Sequence, residues 1–402
     1  MSAAEKSRRI LSIDIFRGLT IFTMVFVNDL AGVRNIPQWM KHMPSEADGM
    51  TFVDLVFPAF LFIVGMAIPF AIGNRMGKGD SVWDIWKHIL IRTAGLLVIG
   101  VFMVNIGSLD SAATGLEKHL WTFLMFVGVL LVWNQYPPAE GPRARIYKVL
   151  KYVGIVLLIV LAAIYRREDA GQIEWMQTSW WGILGLIGWS YLFSCAVYFF
   201  CKDNQIAMVG MIAFFIALYI GDKTGKLDFI PFIGDYLWLG GHIGGHASIT
   251  TAGMMVALLF VKSSHLQEPR KRIRRIIVFA VFLFATGYLL RGLYGISKNL
   301  ATPSWSLYSS GICCLLFAFL YWLVDVRGFS KWAAFARPAG TNPLLAYILP
   351  SMIYALLAIF NIKFYSTVLG HDGIGILRSV VFAFLILGIT QLMTGWKVRL
   401  HL

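Results

Sequence analysis

Residues 53–73 read VDLVFPAFLFIVGMAIPFAIG, a run in which Asp54 is the only ionisable side chain. A helix that crosses the hydrocarbon core of a bilayer needs about 20 predominantly apolar residues. The run therefore predicts a transmembrane helix whose single charge lies at the edge of the membrane.

The whole chain has the same character, because 58% of its 402 residues are hydrophobic and only 14% are charged. Soluble domains carry about 25% charged residues, so this composition excludes a soluble enzyme, a secreted disulfide scaffold and a disordered chain. Twelve apolar runs predict an all-α, polytopic integral membrane protein with about 12 transmembrane helices in one domain, residues 1–402. The runs lie near 16–33, 52–74, 88–106, 120–135, 149–165, 181–200, 205–221, 247–262, 276–295, 305–325, 341–361 and 374–396.

The distribution of Lys and Arg predicts the orientation of these helices. If the twelve runs alternate from a cytoplasmic N-terminus, 24 of the 35 Lys and Arg residues fall inside and 11 outside. Basic residues concentrate in cytoplasmic loops, so both termini are predicted to be cytoplasmic. The basic run EPRKRIRR (268–275) borders a span and lacks interleaved aromatic residues. It therefore indicates contact with the lipid bilayer, and no nucleic-acid partner is predicted.

Three polar residues converge on the predicted outer end of the first two helices. Asn28 lies near the end of the first helix, His42 lies in the following loop, and Asp54 begins the second helix. A histidine beside a carboxylate is typical of a general base near neutral pH. These three residues are our candidates for catalysis, with Asp54 orienting His42 and Asn28 donating to an oxyanion. The alternatives are a solvated loop histidine and an asparagine that hydrogen-bonds a neighbouring helix.

A second group of polar residues lies at the predicted cytoplasmic edge. Asp14 and Arg17 are three residues apart and therefore share one helix face, and Arg92 is the first charge within the third span. An arginine held by a carboxylate is suited to binding phosphate. A local ion pair that anchors the helix end is the alternative reading of Asp14 and Arg17, and a helix cap is the alternative for Asn342 or Thr341.

The segment GGHIGGHASITT holds His242 and His246 at a spacing that could bind a metal on one helical face. The surrounding glycines disfavour a helix, and no acidic third ligand is evident. No metal is predicted.

Five stretches carry a resemblance to a known family. They are SIDIFRGLTIFTMVFVN (12–28), MTFVDLVFPAFLFIVG (50–65), RTAGLLVIGVFMVN (92–105), WSLYSSGICCLLFAFLYWLVDVRG (305–328) and PAGTNPLLAYI (338–348). Together they resemble the heparan-α-glucosaminide N-acetyltransferase family of transmembrane acyltransferases, including its bacterial relatives.

The resemblance implies a ten-helix acyltransferase core with an extra helix pair near 181–221. It also implies acetyl-CoA bound from the cytoplasm, an acetyl group delivered to a glucosamine amine on the opposite side, and a homodimer. His42 and Asn28 occupy the positions of the family's proposed catalytic histidine and its supporting asparagine. We assign binding of the cosubstrate to Arg17, Arg92, Asp14 and Asn342.

The predicted function is therefore acetyl transfer from acetyl-CoA to an amino sugar or glycan, with His42 as base or as acetyl acceptor. The sequence leaves direct and two-step transfer open, as well as N- and O-acylation. The alternative is a transporter of a sugar or cell-wall fragment, because twelve spans with both ends inside are common in transporters. Against it, the Asp14–Arg17 and His42–Asp54 features have no counterparts in residues 201–402. The expected location is a bacterial inner membrane.

Overall fold

The computed structural model describes residues 10–229, 236–261 and 268–401. Twelve longer helices dominate these ranges. They are α1 (Leu11–Leu30), α2 (Val53–Gly77), α3 (Val82–Asn105), α4 (Lys118–Trp133), α5 (Gly141–Ile164), α6 (Gly182–Cys201), α7 (Gln205–Lys223), α8 (His246–Ala257), α9 (Pro269–Tyr294), α10 (Pro303–Tyr321), α11 (Pro343–Ile359) and α12 (Asp372–Gly395).

Shorter elements connect these helices. The 3-10 helices are Gln38–Met40 and Lys331–Ala336, and the π-helical turns are Leu239–Gly245 and Trp322–Val326. The short α-helices are Ser111–Thr114, Arg337–Thr341 and Phe364–Thr367. Within the described ranges, one antiparallel β-hairpin pairs Arg167–Asp169 with Gln172–Glu174.

The all-α, polytopic membrane architecture is confirmed. Within the described ranges, nine helices are long and apolar enough to cross a membrane, or ten if the bent pair Lys331–Thr341 and Pro343–Ile359 is one span. About twelve spans were predicted. Each predicted run coincides with a helix, but α4 has only 16 residues and α8 only 12, so neither reaches the length of a straight crossing. The predicted span 247–262 ends at a residue outside the described ranges.

The chain groups into two compact units. The first comprises Met1–Thr20, Gln38–Ile91 and Ile187–Arg337, and the second comprises Ile21–Pro37, Arg92–Leu186 and Pro338–Leu402. The single domain and the inserted helix pair stay predictions.

Helix α8 is the centre of the first unit, because all twelve of its residues are buried. It packs backbone to backbone against α2. A Cβ atom at Gly65 of α2 would lie 1.8 Å from the carbonyl oxygen of Thr250, and one at Gly253 would lie 2.0 Å from that of Phe62. Only glycine allows this approach, which is how membrane helices gain contact area without a hydrophobic driving force.

The start of α1 is fixed within the same unit by a distant carboxylate. Asp325 follows α10 and accepts hydrogen bonds from the backbone nitrogens of Leu11 and Ser12, each at 3.0 Å. The first turn of a helix has amide groups without intrahelical partners and favours negative charge. Asp325 therefore acts as a cap supplied from another helix.

In the second unit, Asn105 ends α3 and holds the segment that follows the β-hairpin. Its side-chain amide donates to the backbone oxygen of Gln177 at 2.7 Å and accepts from the backbone nitrogen of Gln177 at 3.1 Å. The Tyr165 hydroxyl donates to the backbone oxygen of Asn105 at 3.0 Å. These bonds fix one end of α3 to the connection between α5 and α6.

Candidate functional site

The first unit brings His42 and Asp54 into direct contact. The Nδ1 atom of His42 lies 2.6 Å from Oδ1 of Asp54. The Asp54 side chain is 1% exposed, whereas that of His42 is 41% exposed. A buried carboxylate therefore holds the inner edge of an imidazole whose outer edge faces the surroundings.

Asp54 is held by the loop that it closes. Its second oxygen, Oδ2, accepts from the backbone nitrogens of Met43 and Thr51 at 3.2 and 3.0 Å and from the Thr51 hydroxyl at 3.3 Å. These donors need a carboxylate that acts only as an acceptor. The proton between His42 and Asp54 is accordingly assigned to Nδ1, and in the neutral form of the ring this leaves the lone pair on Nε2.

Lys298 is the third member of this site. Its ammonium nitrogen lies 3.3 Å from both Nδ1 and Nε2 of His42. Because the N–H of Nδ1 and the lone pair of Nε2 point in different directions in the ring plane, equal distances place the ammonium group out of line with either one. Burial lowers the pKa of Lys298, and the nearby Asp54 carboxylate partly opposes that shift.

The loop between α9 and α10 carries Lys298 and rests on the loop before α2. The Ser297 hydroxyl donates to the backbone oxygen of Ser45 at 3.0 Å. Asp48 accepts from the backbone nitrogen of Ile296 at 2.8 Å and from Nε of Arg291 at 2.9 Å. Sequence analysis missed Lys298, since it is separated from His42 by 256 positions and has no distinguishing motif.

Aromatic side chains and His246 lie near the same contact. The indole nitrogen of Trp305 donates to the backbone oxygen of Asp54 at 3.4 Å. The His246 ring meets Trp305 and Phe57 edge to face, at centroid distances of 5.8 and 5.4 Å. By contrast, Nδ1 of His242 accepts from the backbone nitrogen of Trp238 at 3.2 Å, within its own turn. The described residues contain no group of three His, Cys, Asp or Glu that could hold a metal.

Asn28, the third predicted catalytic residue, has an exposed side chain and belongs to the second unit. Its role stays a prediction. The adjacent Asp29 is buried at this end of α1, with only 4% of its surface exposed.

Asp29 is the centre of a buried cluster in the second unit. Its Oδ1 accepts from the hydroxyls of Tyr354 and Tyr365 at 2.5 and 2.6 Å. Its Oδ2 accepts from Arg378 at 2.9 Å and from the Ser379 hydroxyl at 2.7 Å. The Arg378 guanidinium also lies 4.4 Å from the centroid of the Tyr365 ring. Sequence analysis did not single out Arg378, although an arginine inside the predicted span 374–396 was the signal to follow.

The residues assigned to cosubstrate binding are divided between the units. Nη1 of Arg17 lies 3.4 Å from Oδ1 of Asp14, as their spacing predicts, and both side chains are about one quarter exposed. Both belong to the first unit, whereas Arg92 belongs to the second and is half-buried. The cosubstrate roles of these residues stay predictions.

Asn342 is tied to the end of the chain. Its amide nitrogen donates to Oγ1 of Thr394 and to the backbone oxygen of Val398, and its amide oxygen accepts from the backbone nitrogen of Leu400, at 2.9 to 3.1 Å. Asn342 occupies the N-cap position of α11, as the alternative reading placed it, but its side chain makes no capping hydrogen bond to that helix. Cosubstrate binding by Asn342 would require these bonds to be exchanged, and it stays a prediction.

Comparison with known proteins gives one family and two partial relatives. The profile of the family described as "Domain of unknown function (DUF5009)" matches residues 9–232, which include His42 and Asp54. The heparan-alpha-glucosaminide N-acetyltransferase of Mus musculus is 38% identical over 102 residues, 25% of this chain and 15% of that protein. The human protein of the same name is 37% identical over 98 residues, 24% of this chain and 14% of that protein. The matched segment thus spans about one seventh of the length of these relatives.

Proposed function

The protein is a member of the DUF5009 family, and we propose that it is an integral-membrane acetyltransferase. It transfers an acetyl group from cytoplasmic acetyl-CoA to the amine of a glucosamine-type sugar on the extracytoplasmic side. The observation that carries the proposal is the contact between His42 and Asp54 at 2.6 Å, with the imidazole 41% exposed. The similarity to two N-acetyltransferases supports the reaction class.

Acyl transfer from a thioester to an amine requires a group that removes a proton from the amine. In direct transfer, the amine nitrogen attacks the thioester carbon, Nε2 of His42 takes the amine proton, and the carbon–sulfur bond breaks to release CoA as a thiolate. Asp54 stabilises the imidazolium that forms and keeps the ring in the reactive tautomer, as the aspartate of a catalytic triad does.

A two-step route uses the same atom. Nε2 attacks the thioester carbon and CoA leaves as a thiolate. The sugar amine then attacks the acetyl carbon of the acetyl-imidazole, the bond from that carbon to Nε2 breaks, and the freed Nε2 takes the amine proton. The Nδ1 proton moves toward Asp54 as the covalent intermediate forms. Both routes require a neutral imidazole with an open Nε2.

The cosubstrate is proposed to bind through its phosphates. In the first unit, Arg17, held by Asp14 at 3.4 Å, is the cation proposed to meet the phosphate groups, since charge-assisted bonds from arginine are suited to phosphate. The predicted role of Arg92 in the second unit is a separate proposal. Asn342 is proposed to contribute only if its bonds to the C-terminal segment are released. We further propose a homodimer located in a bacterial inner membrane.

The test uses the full chain in lipid nanodiscs, supplied with acetyl-CoA and glucosamine while the release of free CoA thiol is followed. The variants are His42→Ala and the control His119→Ala. His119 is also exposed and lies 3.9 Å from a carboxylate, that of Glu117. Release that depends on glucosamine, disappears in His42→Ala and persists in His119→Ala is the expected result.

Acetyl-CoA turnover that is unaffected by His42→Ala would contradict the proposed role of this histidine. An absence of acetyl-CoA binding, together with accumulation of labelled sugar in vesicles without acyl-CoA, would overturn the proposal in favour of a transporter.

A further inference from the structure

We propose that Lys298 is a further catalytic residue of this site, whose ammonium group stabilises the oxyanion that forms beside Nε2 of His42 during acyl transfer. The inference rests on the proposed acyl transfer and adds a residue that neither the sequence motifs nor the relatives' names indicate.

The position of the ammonium group fits this role. It lies 3.3 Å from both ring nitrogens of His42, and therefore toward a face of the ring that Nδ1 and Nε2 share. A carbonyl carbon attacked at Nε2 carries its oxygen two bonds away from that nitrogen, so the oxygen can turn toward this face. An oxyanion donor works at 2.7–3.1 Å from the oxygen, which is the distance the Lys298 ammonium group must reach in the proposed step.

The surrounding charges also favour a bound anion. Within the described ranges, no carboxylate lies within 4.0 Å of the Lys298 ammonium nitrogen, and its side-chain polar contacts are with the His42 ring. The Asp54 carboxylate acts on Lys298 through space, while its oxygens are occupied by His42 and by the loop. His246 also interacts electrostatically with Lys298, but a histidine is either neutral or positively charged and therefore cannot neutralise the ammonium group. A half-buried ammonium group without a paired anion is costly, and a transient oxyanion would be its complement.

The residues on both sides of Lys298 hold it in place. The Ser297 hydroxyl bonds the Ser45 backbone oxygen, and the Asn299 side-chain amide bonds the Ser45 hydroxyl, both at 3.0 Å. Both bonds join the Lys298 loop to the loop that contains His42. The loop that carries Lys298 is therefore fixed against the His42 loop before the reaction, and a donor that is held in place in advance is the kind that accelerates acyl transfer.

An activated ester isolates this step from acetyl-CoA and from the sugar. With p-nitrophenyl acetate, Nε2 of His42 forms a bond to the carbonyl carbon and the electron pair of the carbonyl moves onto oxygen. The tetrahedral species then breaks its bond to p-nitrophenolate, which leaves, and the Nδ1 proton is lost to Asp54 or water. Water hydrolyses the acetyl-imidazole to acetate and returns His42 to its starting state.

The experiment measures p-nitrophenolate release by the full chain in nanodiscs across pH, after subtraction of the rate of His42→Ala. The variants are Lys298→Met, Lys298→Arg and the control Lys41→Met, which removes a neighbouring lysine whose loop bonds are made by its backbone. Loss of an oxyanion donor costs about 10²- to 10³-fold. We expect the pH-independent plateau of Lys298→Met to fall by about 10²-fold or more, Lys298→Arg to retain most of the rate, and Lys41→Met to match the wild type.

Three results would overturn the proposal. One is a pH–rate profile of Lys298→Met that reaches the same plateau as the wild type and differs only in the pH at which the rate rises. Lys298 would then act only on the protonation of His42. The others are no difference at any pH, and no His42-dependent release by the wild type. The two proposals can also be told apart. If Lys298→Met lowers the plateau of p-nitrophenolate release but the wild type shows no glucosamine-dependent CoA release, the role of Lys298 is supported and the assignment of acetyl-CoA and an amino sugar is rejected. Thermal unfolding of each variant establishes that the protein is folded.

Discussion

Replacing Asp54 with asparagine should reverse the tautomer of His42 and nearly abolish acyl transfer. Three donors converge on Oδ2, namely the backbone nitrogens of Met43 and Thr51 and the Thr51 hydroxyl. In Asp54→Asn, the amide oxygen is expected to remain with these donors, so the amide nitrogen takes the place of Oδ1. That nitrogen is a donor and faces Nδ1 of His42 at the present 2.6 Å contact.

A donor at this place requires Nδ1 to accept. The ring proton then moves to Nε2, and the atom proposed to react loses its lone pair. The equivalent change in a serine protease lowers kcat about 10⁴-fold while leaving the geometry intact, which corresponds to about 5.4 kcal/mol of transition-state stabilisation. We expect a loss of this size in Asp54→Asn, with folding largely preserved because the three donors keep their acceptor.

The assay combines the turnover number with glucosamine and the ¹⁵N NMR shifts of labelled histidine. Asp54→Ala is the comparison variant, since it removes both the acceptor of the loop and the partner of the ring. It should unfold at lower temperature than Asp54→Asn. A kcat for Asp54→Asn within a few-fold of the wild type, or a His42 proton still on Nδ1, would show that the carboxylate does not set the reactive tautomer.

Three further predictions concern stability. Arg378→Met leaves Asp29 buried without its cation and should lower the free energy of unfolding by about 3–5 kcal/mol, as measured by chemical unfolding; the double variant with Asp29→Asn should recover part of the loss, and no recovery would contradict the pairing. Gly253→Ala places a Cβ atom 2.0 Å from the carbonyl oxygen of Phe62 and should prevent α2 and α8 from packing, so wild-type thermal stability in this variant would be evidence against the close approach. Burial lowers the pKa of Lys298, so the folded state disfavours the charged form of this lysine. The free energy of unfolding should therefore rise with pH between the folded and the unfolded pKa of Lys298. In Lys298→Met this rise should be absent, and the melting temperature at pH 7 should be no lower than that of the wild type.

The helices could be predicted from the sequence because a bilayer imposes a local rule. Backbone groups in hydrocarbon must be hydrogen-bonded within the same segment. Each apolar run therefore predicts a helix from its own residues, whatever the rest of the chain contains. The spacing of Asp14 and Arg17 likewise predicted their contact correctly, since a helix sets it directly. The count of spans was less accurate, because α4 and α8 are apolar but short.

Among the functional residues, those close together in the sequence were also easier to predict than those far apart. His42 and Asp54 are 12 positions apart and joined by one loop, and their proximity could be proposed from the sequence. Asn28 was assigned from its place at the helix end and from the family resemblance, and that role stays a prediction. Asp29 was not assigned a role, although Arg378 and two tyrosines bind it. Asn342 was assigned to the cosubstrate, although its side chain holds the C-terminal segment.

The sequence alone determined that this chain is a polytopic α-helical membrane protein and that a histidine and an aspartate lie at one end of its first helix pair. Only the tertiary structure decided that Lys298 lies against His42, that Arg378 neutralises Asp29 and that Asp325 caps α1. The physical reason is range. Helix formation in lipid depends on neighbouring residues, whereas these contacts join positions 256, 349 and 314 residues apart and exist only after the helices have packed.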